Sequence, residues 1–203
     1  TYNTAVGSQA GTAVTTGTLN TLVGGIAGDA LTTGQQNVAM GYGALSADDV
    51  GSHSVAVGVN ALLSQNFATG TNSYNTAVGS GAGSAVTTGI QNTFIGGGAG
   101  DADTDADMNI AVGYLALSAD TYGSKSVAIG KEALATQNFT TATDTFNTAV
   151  GHNAGSSVTT GQYNTIMGGL AGDAITDADF NVAVGYAALT ANTVGSKSVA
   201  IGR

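Results

Sequence analysis

The stretch YNTAVGSGAGSAVTTGI, residues 74–90, decides the fold, because its core phrase, Asn/Ser followed by a β-branched residue, a variable one, an apolar one and Gly, is written twelve times along the chain. The closing glycines fall at 7, 24, 41, 58, 79, 96, 113, 130, 151, 168, 185 and 202. Steps of 17, 17, 17 and 21 residues separate them, and this series of steps recurs along the chain. A short fixed period means stacked units, none of which buries its apolar surface without a neighbour. The sequence therefore predicts an all-β chain, a parallel β-roll or β-solenoid of 17-residue rungs, with twelve rungs forming one elongated domain over 1–203.

Aligned on the glycines, four rung types recur in order. The first reads YNTAVGSQAGTAVTTGT from Tyr2 and returns from Tyr74 and Phe146; the second reads LNTLVGGIAGDALTTGQ from Leu19 and returns from Gln91 and Tyr163. The third, QNVAMGYGALSADDVGS from Gln36, returns from Met108 and Phe180, and the fourth starts at His53, Lys125 and Lys197. Complete fourth-type rungs carry four extra residues, near Gly70–Ser73 and Ala142–Thr145, where an enlarged surface turn costs little entropy. The superperiod is 72 residues, with superrepeats over about 2–73, 74–145 and 146–203. Thr1 reads as the last position of a preceding rung and Arg203 lies one residue past Gly202, so a piece of a longer array is expected.

Three residues before each glycine stands Thr, Val or Ile, and one residue before it Val, Ile or Met, in all twelve rungs. These two share a strand face by the period-two rule. Between them lies Ala in nine rungs and Leu22, Phe94 or Ile166 in the second type. Both faces are apolar, the pattern of a strand covered on both sides. One face can point into the thin interior of a two-strand roll, whose second strand is expected after the Ala three residues past the glycine (Ala10, Ala27, Ala44 and equivalents). The other face needs a partner that the chain does not supply, and parallel copies of itself are the simplest one. At ~4.8 Å per rung the rod would be roughly 55 Å long. Helix is not expected, since Gly, Thr and Val dominate without a 3.6-residue stripe.

Composition narrows the function. Charged residues make up 8 % of the chain and hydrophobic ones 42 %, which is not the balance of a disordered tail. The absence of proline suits long ladders, and no apolar run reaches the ~18–20 residues of a membrane-spanning helix. Without cysteine there are neither disulfides nor thiolate metal sites. The net charge of −9 argues against nucleic acid, whose phosphates need clustered Lys and Arg, and fits a soluble exposed surface.

Several columns invite a functional reading. Asn opens the strand in nine rungs (Asn3, Asn20, Asn37, Asn75, Asn92, Asn109, Asn147, Asn164, Asn181), and Ser54, Ser126 and Ser198 replace it in the fourth type. It is read as a hydrogen-bonding ladder between rungs, with a polar binding stripe as the alternative. Tyr42, Tyr114 and Tyr186 form either a line for sugar stacking or covers for the ends of the core. The run DADTDAD, Asp101–Asp107, would place four carboxylates on one face if extended, which calls for a hard cation such as Ca²⁺. Against Ca²⁺ stand the apolar equivalents Leu31 and Ile175 of Asp103 and the missing EF-hand Gly and Glu, so a solvated acidic turn is the leading reading. His53 and His152 stand alone, and Gly96–Gly100 lacks the Lys-Ser/Thr of a phosphate loop. No catalytic, cofactor-binding or metal residue is therefore assigned, and no enzyme is expected.

The phrases SVAVG (Ser54–Gly58) and SVAIG (Ser126–Gly130, Ser198–Gly202) resemble the head repeats of trimeric autotransporter adhesins, the YadA-like left-handed parallel β-roll. NTAVG, NVAVGYAAL (Asn181–Leu189) and the TTG linkers are still more similar to repeat arrays of bacteriophage tail-fibre proteins. The resemblance spans the whole chain and implies a left-handed roll assembled as a parallel homotrimer, with the SVAIG-type strands lining the threefold axis. A charge at Ala128 on such a strand is then expected to abolish assembly. The function this implies is a structural or adhesive segment of a trimeric extracellular fibre, on a virion tail or a bacterial surface, reaching towards a glycan or protein receptor. The alternatives are an adhesin head and a glycan- or ice-binding solenoid. Ice binding would require a flat array of matched Thr pairs on one face, and the pairs Thr15-Thr16, Thr32-Thr33, Thr87-Thr88 and Thr159-Thr160 occur only in some rungs, so the array is broken.

Overall fold

A computed structural model describes residues 2–203. Thr1, read above as the end of a preceding rung, lies outside the described residues. Within them the chain is all-β and has no helix, so none is long and apolar enough to cross a membrane. One three-residue strand stands in each rung: Thr4–Val6, Thr21–Val23, Val38–Met40, Val55–Val57, Thr76–Val78, Thr93–Ile95, Ile110–Val112, Val127–Ile129, Thr148–Val150, Thr165–Met167, Val182–Val184 and Val199–Ile201. Each pairs in parallel with its successor to give a 12-stranded sheet in sequence order. The register follows the repeat through the longer steps too: Ala56 faces Ala77 and Ala128 faces Ala149, as Phe94 faces Ala111.

The expected second strand is absent. After the glycine the chain turns through residues with positive φ, such as Ile26 (49°) and Gly28 (52°), around the buried Ala27. These turns still join rung to rung, with Ile26 N donating to Ser8 O (2.8 Å) and Gly28 N to Ala44 O (2.9 Å). The ladder is therefore maintained without an extended backbone. Alternation of left-handed residues with the buried Ala is the physical reason, since an extended segment cannot hold φ near +50°. Short extended pairing occurs elsewhere, where Gly123–Ser124 pairs with Thr143–Asp144 at the enlarged turn.

The interior is filled from two sources. In second-type rungs the strand centre supplies the bulk, as Leu22, Phe94 and Ile166, all fully buried. The turn position four past the glycine is then Gly, for a Cβ at Gly100 would lie 2.5 Å from the Phe94 ring, and Gly83, at the same position of the preceding first-type rung, leaves room for that ring too (2.8 Å). In third- and fourth-type rungs the centre is Ala and the turn supplies Leu45, Leu62, Leu117 and Leu134, each buried at positive φ. Bulk on one wall thus answers space on the other, as close packing demands. The run Gly96–Gly100 is accounted for in part by the Phe94 ring.

The Asn column is the clamp expected from the sequence. Asn92 Oδ1 accepts the backbone N–H of Asn109 in the next rung (2.8 Å), while its Nδ2 donates to Ala106 O at the end of its own rung (2.8 Å). One buried amide therefore closes a rung and fixes the next. Ser is too short for both tasks, and the fourth-type rung solves this with a buried glutamine. Gln137 Nε2 donates to Ser126 Oγ (2.9 Å) and Asp120 Oδ2 (2.5 Å), and its Oε1 accepts from Asn147 Nδ2 (2.8 Å). Gln65 repeats the arrangement with Ser54, Asp48 and Asn75. Ser73 and Thr145, in the four-residue additions, bond Ser54 (2.6 Å) and Ser126 (2.5 Å), which ties the longer turn into this network.

The strand-end glycines combine a left-handed backbone with close contact. Gly79 has φ +142°, and a Cβ there would lie 2.4 Å from Gly96 O. Gly79→Ala is expected to cost about 3 kcal/mol. At Gly81, with φ +70° and open space around its Cβ position, alanine should cost about 1 kcal/mol. Urea unfolding of the two variants checks the pair, and equal losses would contradict the close-contact account.

Candidate functional site: the uncovered sheet face

Strand alternation places the central residue inside and its two neighbours outside. The outward columns, Thr/Val/Ile and Val/Ile/Met, hold no charged residue over all twelve rungs. Within the single chain this face is not covered: Met40, Ile95, Ile110, Ile129 and Met167 are exposed, with Met167 at 44 %. Only the inward face is buried, so the two-sided burial read from the sequence is met on one side. Ala128 belongs to that inward face, fully buried and paired between Ala111 and Ala149. A charge there would disrupt the core of one chain, and the expectation that Ala128→Asp reports on an axis is corrected: the outward neighbours are Val127 and Ile129.

A third column borders this face. The residue before each Asn or Ser, from Tyr2 to Lys197, has φ between 51° and 64° in all twelve rungs. Glycine would adopt that conformation freely, yet none of the chain's 32 glycines stands there. Instead the column presents large side chains, among them Tyr74, Met108, Phe146, Tyr163 and Phe180, all exposed. Phe146 and Tyr163 stack at 5.5 Å, Tyr163 and Phe180 at 4.8 Å with rings parallel to 1°. Lys125 lies over Phe146 (5.3 Å) and reaches Asp144 (2.5 Å). His53 belongs to the same column and packs on Tyr74 at 5.0 Å. The sequence reading passed over this column, because no glycine or asparagine marks its left-handed backbone. The signal available was the persistence of bulky residues before every Asn or Ser.

The other candidates separate in space. Tyr42, Tyr114 and Tyr186 are 56–59 % exposed, so they do not cover the ends of the core. Tyr42 leans over Gly25 of the preceding rung, where a Cβ would come within 3.2 Å of the ring, and Tyr114 and Tyr186 do the same over Gly97 and Gly169. The acidic run does not share one face. Asp103 is buried, Asp105 is exposed, and Asp107 Oδ1 accepts the Ile90 N–H (2.8 Å). Among the described residues no group of three or more His, Asp or Glu side chains is arranged to hold a metal ion. His152 is exposed and apart from His53. Thr15, Thr87 and Thr159 donate their hydroxyls to carbonyl oxygens of the next rung, which engages them within the stack.

Comparison of the chain with protein-family models, with curated proteins and with solved structures returned no match.

A left-handed conformation costs a side-chain-bearing residue about 1 kcal/mol that glycine avoids. Gln91→Gly is therefore expected to stabilise the chain by about 0.5 kcal/mol, the reverse of glycine's ordinary effect beside a strand. Chemical denaturation decides it, and a loss above about 1 kcal/mol would contradict the strain reading.

Proposed function

We propose that the chain is a stiff rod segment of a trimeric extracellular fibre. In this reading three parallel copies turn their outward sheet faces to a common axis and wind left-handed, as the resemblance to the adhesin heads implies. The observation that carries the proposal is the uncharged face that runs uncovered along every rung. Its strands span three residues per rung, so twelve rungs present a footprint of roughly 550 Å² per chain, which the bordering column widens towards the ~800 Å² per partner of a stable interface. An exposed apolar face of that size on a soluble chain marks a contact surface.

The fibre's task is reach and display. A bacteriophage tail fibre is the first assignment, from the resemblance of the NTAVG and TTG phrases, and a bacterial adhesin head the second. The acids outside the core would lie on the outside of the rod and help keep it soluble. Receptor contact falls to exposed turns, where Tyr42, Tyr114 and Tyr186 recur every 72 residues and offer rings to a surface glycan.

The double variant Val127→Asp, Ile129→Asp tests the face. Two charges per chain brought to the axis should leave the β-signal of the chain in place and abolish association, read by circular dichroism and sedimentation velocity on one sample. Unchanged association in the variant would overturn the axis assignment.

A further inference from the structure

The interior position seven residues past the glycine follows the rung types. First-type rungs place Val86 and Val158 there, buried; third-type rungs place Asp48 and Asp120, with a half-buried Asn192 in the last; fourth-type rungs place Gln65 and Gln137. In the second type it is Leu31 in the first superrepeat and Ile175 in the third, both fully buried. In the second superrepeat it is Asp103, also fully buried. A carboxyl thus occupies core space that its own repeats fill with hydrocarbon.

The surroundings compensate for it only in part. Asp103 Oδ2 accepts from Asn109 Nδ2 (3.0 Å), and Oδ1 has no partner. Asp120, by contrast, accepts from Gly123 N (3.0 Å), Phe139 N (3.2 Å) and Gln137 Nε2 (2.5 Å). The ionisable groups that act on Asp103 are Asp120 on the following rung and Asp107 on its own, both acidic, while the preceding rung offers Val86. A buried carboxylate facing two acids and missing a donor is far costlier than the neutral acid in the same place.

We propose that Asp103 makes the second superrepeat an acid-tightened segment of the rod, closed while this carboxyl is protonated and loosened at its rungs when the carboxyl ionises. Burial, and then repulsion from Asp120 and Asp107, hold the Asp103 carboxyl well above its ordinary range against the opposing hydrogen bonds from Asn109 and the Ala106 backbone. An acid whose pKa is raised in the folded state binds its proton more tightly there than when the segment opens. Stability is then greatest below the ordinary carboxylate range, falls as pH rises towards the folded value, and levels off above it. In that window the opening equilibrium rises by up to tenfold per pH unit. Asp48 and Asp120 are also raised by burial, with Gln65 and Gln137 opposing the shift, so the comparison must be made at matched rungs.

Amide hydrogen exchange on the full chain between pH 4.5 and 7.5, corrected for intrinsic rates, provides that comparison. The opening constant at Asn109–Val112 should rise at least tenfold more than at the equivalent Asn37–Met40, whose rung carries Asp48 where theirs carries Asp120. Asp103→Leu, which copies the residue type of Leu31, and Asp103→Asn, which keeps polarity without titration, should both bring the two segments within about twofold. Equal pH responses in the unmodified chain, or a wild-type response retained in Asp103→Leu, would overturn the proposal. Neither readout depends on how many chains associate.

Discussion

Successive rungs lie one backbone spacing apart, and at the strand end this leaves no room for a side chain. The carbonyl oxygen of Gly96 occupies the place where a Cβ on Gly79 would go, and the same contact recurs from Gly7 to Gly185. Once that column is glycine, the strands can stack in register, and the Asn amides can reach across. Asn92 then holds both the start of the next rung and the end of its own. The remaining structure accommodates these two columns: bulk moves between strand centre and turn, and the fourth-type rung lengthens where Ser requires a glutamine in place of the Asn clamp.

Much of this was legible in the sequence because period and glycine are local signals. The twelve strands, their parallel order and the Asn ladder follow from spacing alone. The far wall was not legible. An Ala recurs three residues past each strand-end glycine from Gly7 to Gly185, as an inward strand residue would, and so suggested extension; Ala27 is indeed buried, but in a turn. The backbone there is left-handed at Ile26, Leu45 and Leu62, residues that give no local warning of positive φ. Tertiary packing selects that conformation, since the turn must deliver Leu to a core whose strand centres are Ala. The same blindness hid the bordering column of Tyr2, Tyr74 and Phe146, whose conformation only the stack imposes.

For the candidate surface, composition identified an apolar second face but not which residues form it. Ala128 lies in the phrase that resembles an axis strand, yet it points inward, while Val127 and Ile129 point out. The acidic run misled for a related reason. Alternation along an extended chain would have aligned four carboxylates, and the turn instead sends Asp103 into the core and Asp105 to solvent. Comparison with its own repeats, Leu31 and Ile175, exposes Asp103 as the departure.

The account rests on the outward face being covered by two further copies of the chain. The native mass of the purified chain, by light scattering on a size-exclusion column, tests this most directly. Three chains of 19.6 kDa predict a value near 59 kDa across a wide concentration range. A stable species of 19.6 kDa would mean that the uncharged face is content in water, and would contradict the fibre assignment.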